Sequence, residues 1–109
     1  MLQQEVDLKL RTKQFALQVV KFVESLPSSK SLDIFSRQLL RSATSVAANY
    51  RAARRARSKA DFINKLGIVE EEVDESHFWL EMMQESGLVS QESCKELLSE
   101  ADELILLPI

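Results

Sequence analysis

Four stretches of this sequence repeat their apolar residues every three or four positions, and that rhythm limits the fold more than any other feature. A helix that buries one side must show such a repeat, whereas a half-buried strand would alternate. The first stretch, about residues 3–26, carries Leu8, Phe15, Val19, Phe22 and Leu26 in a narrow stripe, with Thr12 filling one turn. Pro27 ends it, because proline cannot continue the backbone ladder and disfavours helix in the residue before it. Residues 28–31 read as a polar loop. The second stretch, about residues 33–57, opens at Asp33 as its expected N-cap and runs through Phe35, Leu39, Ala43, Val46, Tyr50 and Ala53. The third, about residues 59–86, follows Ser58, which with Asp61 resembles a capping box. Its seam is Phe62, Leu66, Val69, Val73, Ser76, Leu80 and Met83, and Gly87 closes it as a residue suited to the left-handed conformation. The fourth, about residues 91–107, opens at Ser90, uses Cys94, Leu97, Leu98, Ala101, Leu104 and Ile105, and stops at Pro108.

Short connections between long helices favour antiparallel neighbours, so the expected fold is all-α, an antiparallel up-down-up-down four-helix bundle forming one domain over residues 1–109. Two Gly and two Pro are too few for the tight turns of a many-stranded β protein. Neither Gly nor Pro separates the second stretch from the third, which leaves one continuous rod over residues 33–86 as the structural alternative. Such a rod would need a partner chain to cover its stripes. Ala43, Ala47, Ala48, Ala52, Ala53 and Ala56 have two readings: plain helix propensity, or close approach of another helix from the bundle or a second subunit. Ala16, Val20 and Val23 widen the first stripe beyond a minimal seam, so self-association is expected.

The single Cys94 excludes an internal disulfide framework and a cysteine-rich zinc site, and a reducing cytosol fits it. No apolar run approaches the ~18 residues of a membrane span, and no basic-then-apolar leader pattern is read at the start. A cytoplasmic protein without membrane contact is the expectation.

The net charge of −3 hides a strong asymmetry. Residues 1–60 hold 12 Lys or Arg against 4 Asp or Glu, and residues 61–109 hold 2 against 13. Between Asp33 and Asp61 lie seven basic side chains and no acid. At ~100° per residue, Arg37, Arg41, Arg51 and Arg55 fall within an arc of about 80°, almost opposite the Phe35, Val46 and Tyr50 seam. They are expected to face outward, with Arg54, Arg57 and Lys59 adding charge at the following turn. A row of guanidinium groups suits successive phosphates, since the planar fork matches phosphate oxygens. The competing reading is a solvated face, or arginines paired with the acidic flank of the third stretch. A hairpin turning near residue 58 would bring Arg41 to the level of Ser76 and His77, and Arg37 to that of Leu80 and Glu81.

Catalytic chemistry finds little support. Glu70, Asp74, His77 and Glu81 project within about 60° of one another, and bundles do hold di-iron through inward carboxylates and histidines. Those sites take a Glu-x-x-His pair from each of two helices, whereas this chain has one His and an Asp74-x-x-His77 pair. No metal, cofactor or catalytic residue is therefore assigned. Phe78 and Trp79 point away from the Leu80 side, and either a covering helix or subunit, or base stacking, would account for them. Cys94 reads as an inert core thiol.

Arg41-Ser42-Ala43-Thr44-Ser45-Val46-Ala47-Ala48-Asn49, followed by Arg57-Ser58-Lys59-Ala60-Asp61-Phe62-Ile63, resembles the 23S rRNA intervening-sequence protein family. The similar pattern there is Arg-Ser, a small or β-branched run to Asn-Ile-Ala-Glu-Gly, then Arg, Ser, Lys and an acidic residue before Phe. This chain reads Tyr50-Arg51-Ala52-Ala53 after the Asn, losing a carboxylate and gaining a cation, so no role of that Glu is carried over. The resemblance implies an up-down bundle assembling as a ring of five subunits without catalytic activity. The accessory proteins of diversity-generating retroelements are similar, and they imply a basic surface that meets nucleic acid and a reverse transcriptase.

The expectation that follows is a non-catalytic homo-oligomeric bundle that binds RNA or DNA phosphates, or a nucleic-acid enzyme, through Arg37, Arg41, Arg51, Arg54, Arg55, Arg57 and Lys59. No groove-reading motif accompanies them, so base-selective recognition is not expected. The alternatives are a protein-interaction scaffold that binds no nucleic acid and, least favoured, an oxidoreductase with a buried metal.

Overall fold

The computed structural model describes residues 8–106, so the expected start at residue 3, the helix end at residue 107 and the stop at Pro108 lie outside the described residues. Four helices follow in order: α1 Leu8–Glu24, α2 Lys30–Ala53, α3 Lys59–Glu85 and α4 Gln91–Leu106. Each helix packs on the next in the chain, and α1 also meets α4, which closes the ring. The α2–α3 contact is the most extensive and the α1–α4 contact the thinnest. At about 1.5 Å per residue the 27 residues of α3 span ~40 Å, matching the long axis of a molecule measuring 44 × 26 × 19 Å.

The seams meet as their spacing requires. Phe15 and Val19 of α1, Leu39, Ala43 and Val46 of α2, Val69, Val73, Leu80 and Met83 of α3, and Cys94, Ala101 and Leu104 of α4 are buried in one cluster. Phe35 stacks beside Trp79 with ring centroids 5.9 Å apart, the Ser42 and Ser76 hydroxyls lie 2.9 Å apart, and Ser45 reaches Glu72 at 3.2 Å. Falling numbers on α3 against rising numbers on α2 establish an antiparallel pair. The buried hydroxyls are satisfied: Thr12 donates to the Leu8 carbonyl at 2.9 Å, Ser42 lies 3.1 Å from that of Leu39, and Ser76 lies 2.9 Å from that of Glu72.

Several boundaries differ from the sequence reading. The N-cap of α2 is Ser29, not Asp33: Ser29 is extended and its hydroxyl accepts the Leu32 amide at 3.1 Å. Asp33 sits in the first turn instead, where its charge complements the helix N-terminus and it accepts the Ser28 hydroxyl at 3.0 Å. Helix α2 ends at Ala53 rather than near Arg57, and the continuous-rod alternative is excluded. The amides of Arg55 and Ala56 bond back three residues, to the Ala52 and Ala53 carbonyls, so the chain tightens before it reverses. Ser58 caps α3 by accepting the Asp61 amide at 3.1 Å, and Gly87 follows α3 with φ +79, both as read from sequence. Phe62 leaves the expected seam, being 38% exposed. The register that sets Ser42 beside Ser76 places turn residues 55–56 opposite Phe62, beyond the end of α2.

The thin α1–α4 seam is held by charge. Arg11 grips Glu100 with two bonds of 2.7 and 2.9 Å and adds a third to Glu103 at 2.6 Å. The fork on Glu100 foremost, against the cost of partial burial and with Glu103 in support, pushes the guanidinium pKa up.

Candidate nucleic-acid interface

Helix α2 turns its core face toward α1 and α3, which leaves Arg37 and Arg51 exposed on the opposite side. Arg54 is the C-cap residue of α2, Arg55 and Arg57 lie in the turn, and Lys59 is the first residue of α3. All six are exposed and make no ion pair among the described residues. Arg51, Arg54, Arg55, Arg57 and Lys59 gather at one end of the bundle, while Arg37 stands about 20 Å away along α2. Cations at that end offset the negative pole of α2, yet five charges exceed the roughly half charge that a helix end presents. Asp61, the first acid after the row, is engaged by Lys65 at 2.9 Å, and that bond is the main reason its carboxyl lies below the ordinary value.

Arg41 departs from the row. Its guanidinium crosses to α3, where it bonds Glu72 through two contacts of 3.3 Å and also bonds Glu75. Glu75 in turn accepts the Trp79 indole N–H at 3.1 Å, while Asn49 donates to the Ser45 carbonyl and hydroxyl at 2.9 Å each. Arg41, Ser42 and Ser45 thus make polar contacts across the α2–α3 seam, and Asn49 braces Ser45 from within α2. Residues 41–49 of the run that carries the family resemblance form, in this fold, the α2 side of a stitched helix pair. Helical angle alone could not find this, because position 41 lies on the flank of the stripe and a long side chain reaches sideways. The acids Glu72 and Glu75, four and one residues before Ser76 at the level inferred for Arg41, were the signal available.

The stitching has a pH signature. Arg41, then Trp79, holds the Glu75 carboxyl below its ordinary value against the opposing effect of partial burial. A carboxyl whose folded value is depressed contributes stability that is present above its unfolded value and lost as pH falls through the folded one. Arg41→Gln is therefore expected to destabilise the protein by about 0.5–1 kcal/mol at neutral pH, the scale of a part-exposed ion pair. In urea melts the difference from wild type should shrink as pH drops below the ordinary carboxylate range. A gap that persists unchanged into acid would show that the contact is not ionic.

The other candidate chemistry separates in space. His77 turns toward α4, with Nε2 2.9 Å from Asp102 and Nδ1 3.5 Å from Glu81, while Glu70 and Asp74 are exposed. Among the described residues no three metal-ligating side chains stand close enough to hold an ion. Cys94 is buried, and burial pushes its thiol pKa up, away from the reactive thiolate. Trp79 is half-buried against Phe35, whereas Phe78 is 47% exposed and meets Trp79 edge-on at 4.9 Å. Among the described residues no helix is long and apolar enough to cross a membrane.

The sequence pattern of the family described as 23S rRNA-intervening sequence protein matches residues 4–107. Among solved structures, the fold is similar to a crystal structure of a protein of unknown function from the S23 ribosomal protein family of Bacteroides thetaiotaomicron. The two share 34% identity and a TM-score of 0.82, over 89% of this chain and 90% of that one. No curated protein matches the chain.

Proposed function

We propose that this chain, which belongs to the 23S rRNA-intervening sequence protein family, is a non-catalytic, self-associating helical bundle that binds the phosphate backbone of RNA or DNA. The observation that carries the reading is the exposed group Arg51, Arg54, Arg55, Arg57 and Lys59 at one end of α2, with Arg37 further along the same face. Arg41 is reassigned in this proposal from phosphate contact to holding α2 against α3. Exposed guanidinium groups without internal partners attract a polyanion by releasing its condensed counterions, which makes the attraction strong only at low salt.

Self-association is supported by the outward side of α1, where Leu10 and Leu17 are 53% and 51% exposed beside Val20. The family resemblance implies that the assembly is a ring of five, which would repeat the basic end around an axis and add the attraction of each copy. The likeness to the accessory proteins of diversity-generating retroelements implies a reverse transcriptase as protein partner. The apolar ridge on α1 is also the observation that favours a protein-interaction scaffold without nucleic acid. The cytoplasm is the proposed compartment.

The test is a salt titration of binding to a labelled oligonucleotide. With four or five phosphates contacted, the logarithm of affinity should fall against the logarithm of salt with a slope of about −3 to −4.5. Binding that ignores salt, or no binding at low ionic strength, would overturn the reading in favour of the scaffold. Light scattering of the same sample reads the copy number.

A further inference from the structure

Phe62 occupies a seam position by its spacing, yet α2 ends at Ala53 and the antiparallel register leaves the turn residues 55–56 opposite it. The ring is consequently 38% exposed, with Ile63 beside it at 58%. An exposed phenyl therefore stands at the bundle end that also carries Arg54, Arg55 and Arg57. The surface has both components of a strand-binding platform, cations for phosphates and a π-face for a base. Phe78, the other strongly exposed aromatic, shares its helix face with Glu71 and Asp74 and would repel a phosphate chain. The apolar ridge of α1 offers no exposed aromatic ring among the described residues.

We propose that the α2–α3 turn takes an unpaired nucleic-acid strand, with a base stacked on Phe62 and the flanking phosphates held by Arg54, Arg55 and Arg57. This rests on the polyanion reading above and narrows it from nucleic acid in general to single strands. A duplex keeps its bases stacked on each other and gives the turn its phosphates alone, whereas a single strand offers both. Stacking accepts any base, so the preference is for strandedness and not for sequence.

Fluorescence anisotropy on the intact protein tests this with labelled oligo-uridine, oligo-thymidine and a duplex of equal length at one salt concentration. The single strands should bind about tenfold tighter than the duplex. Phe62→Leu, which keeps apolar bulk and removes the ring, should weaken single-strand binding by about tenfold, ~1.4 kcal/mol, and leave duplex binding and the melting temperature unchanged. Phe62→Trp should retain affinity and show indole quenching on adding either strand, while the half-buried Trp79 of the wild type stays unquenched. Equal binding of strand and duplex, with Phe62→Leu affecting neither, overturns the inference and leaves the polyanion reading standing. Equal weakening of both by Phe62→Leu overturns it as well, since the ring would then act through the shape of the turn. Absence of binding to all three probes at low salt defeats both proposals.

Discussion

Replacing Arg51, Arg54, Arg55 and Arg57 together by Gln is expected to weaken oligonucleotide binding by a hundredfold or more near 0.1 M salt. Each phosphate contact contributes about 0.7 to 0.9 to the salt slope, so four lost contacts remove roughly three decades of affinity at that ionic strength relative to 1 M. The variant's salt slope should flatten by about 3. These side chains are exposed and unpaired among the described residues, so helical content should hold, and stability should fall by no more than about 1 kcal/mol as lost charge at the α2 C-terminus is set against relieved repulsion among the cations. Arg41 is left out of the set, because its removal would mix loss of the α2–α3 contact with loss of charge. Arg41→Gln alone is the control: it should lower stability and spare binding. Undiminished affinity in the fourfold variant would remove the bundle end from the functional account.

Leu80→Ala is expected to cost about 3–4 kcal/mol. Leu80 is fully buried on α3, within the cluster that joins Leu39 and Val46 of α2 to the rest of the core. Truncation loses the transfer energy of the deleted carbons and leaves a cavity that four tightly tied helices fill only in part. Small domains are stable by roughly 5–15 kcal/mol, so one such change removes a large share of the total. Urea unfolding should show a lower midpoint at unchanged slope. A loss under 1 kcal/mol would mean that the helices close over the gap.

The four helices were legible because burial imposes a period, and Leu39, Val46, Val73 and Leu104 carry it without interruption. Helix ends were legible where one residue type settles them, as Ser58 and Gly87 do. They were not legible where two candidates compete. Ser29 and Asp33 are both good caps, and the choice falls to Ser29 through its extended backbone and its bond to the Leu32 amide. The turn after Ala53 is written in Ala and Arg, which prefer helix, so the reversal comes from the packing of α3 back onto α2 and not from local preference.

The candidate site shows the same division. The outward placement of Arg37 and Arg51 follows from angle alone. The diversion of Arg41 depends on where Glu72 and Glu75 stand on a neighbouring helix, a fact about register. The exposure of Phe62 depends on where α2 stops, a fact about length. Both are tertiary quantities that a single periodic seam does not encode.

The paired hydroxyls of Ser42 and Ser76 act as a detent between the two longest helices. Sliding either rod by one helical turn would break the Ser42–Ser76 bond, leave each hydroxyl only the carbonyl of its own helix, and set larger side chains where two small ones now let the backbones draw near. The hairpin therefore has one low-energy alignment, and its tip is carried at a fixed height above the core. Whatever docks at that tip meets a surface already assembled, and spends little of its binding energy on organising the protein.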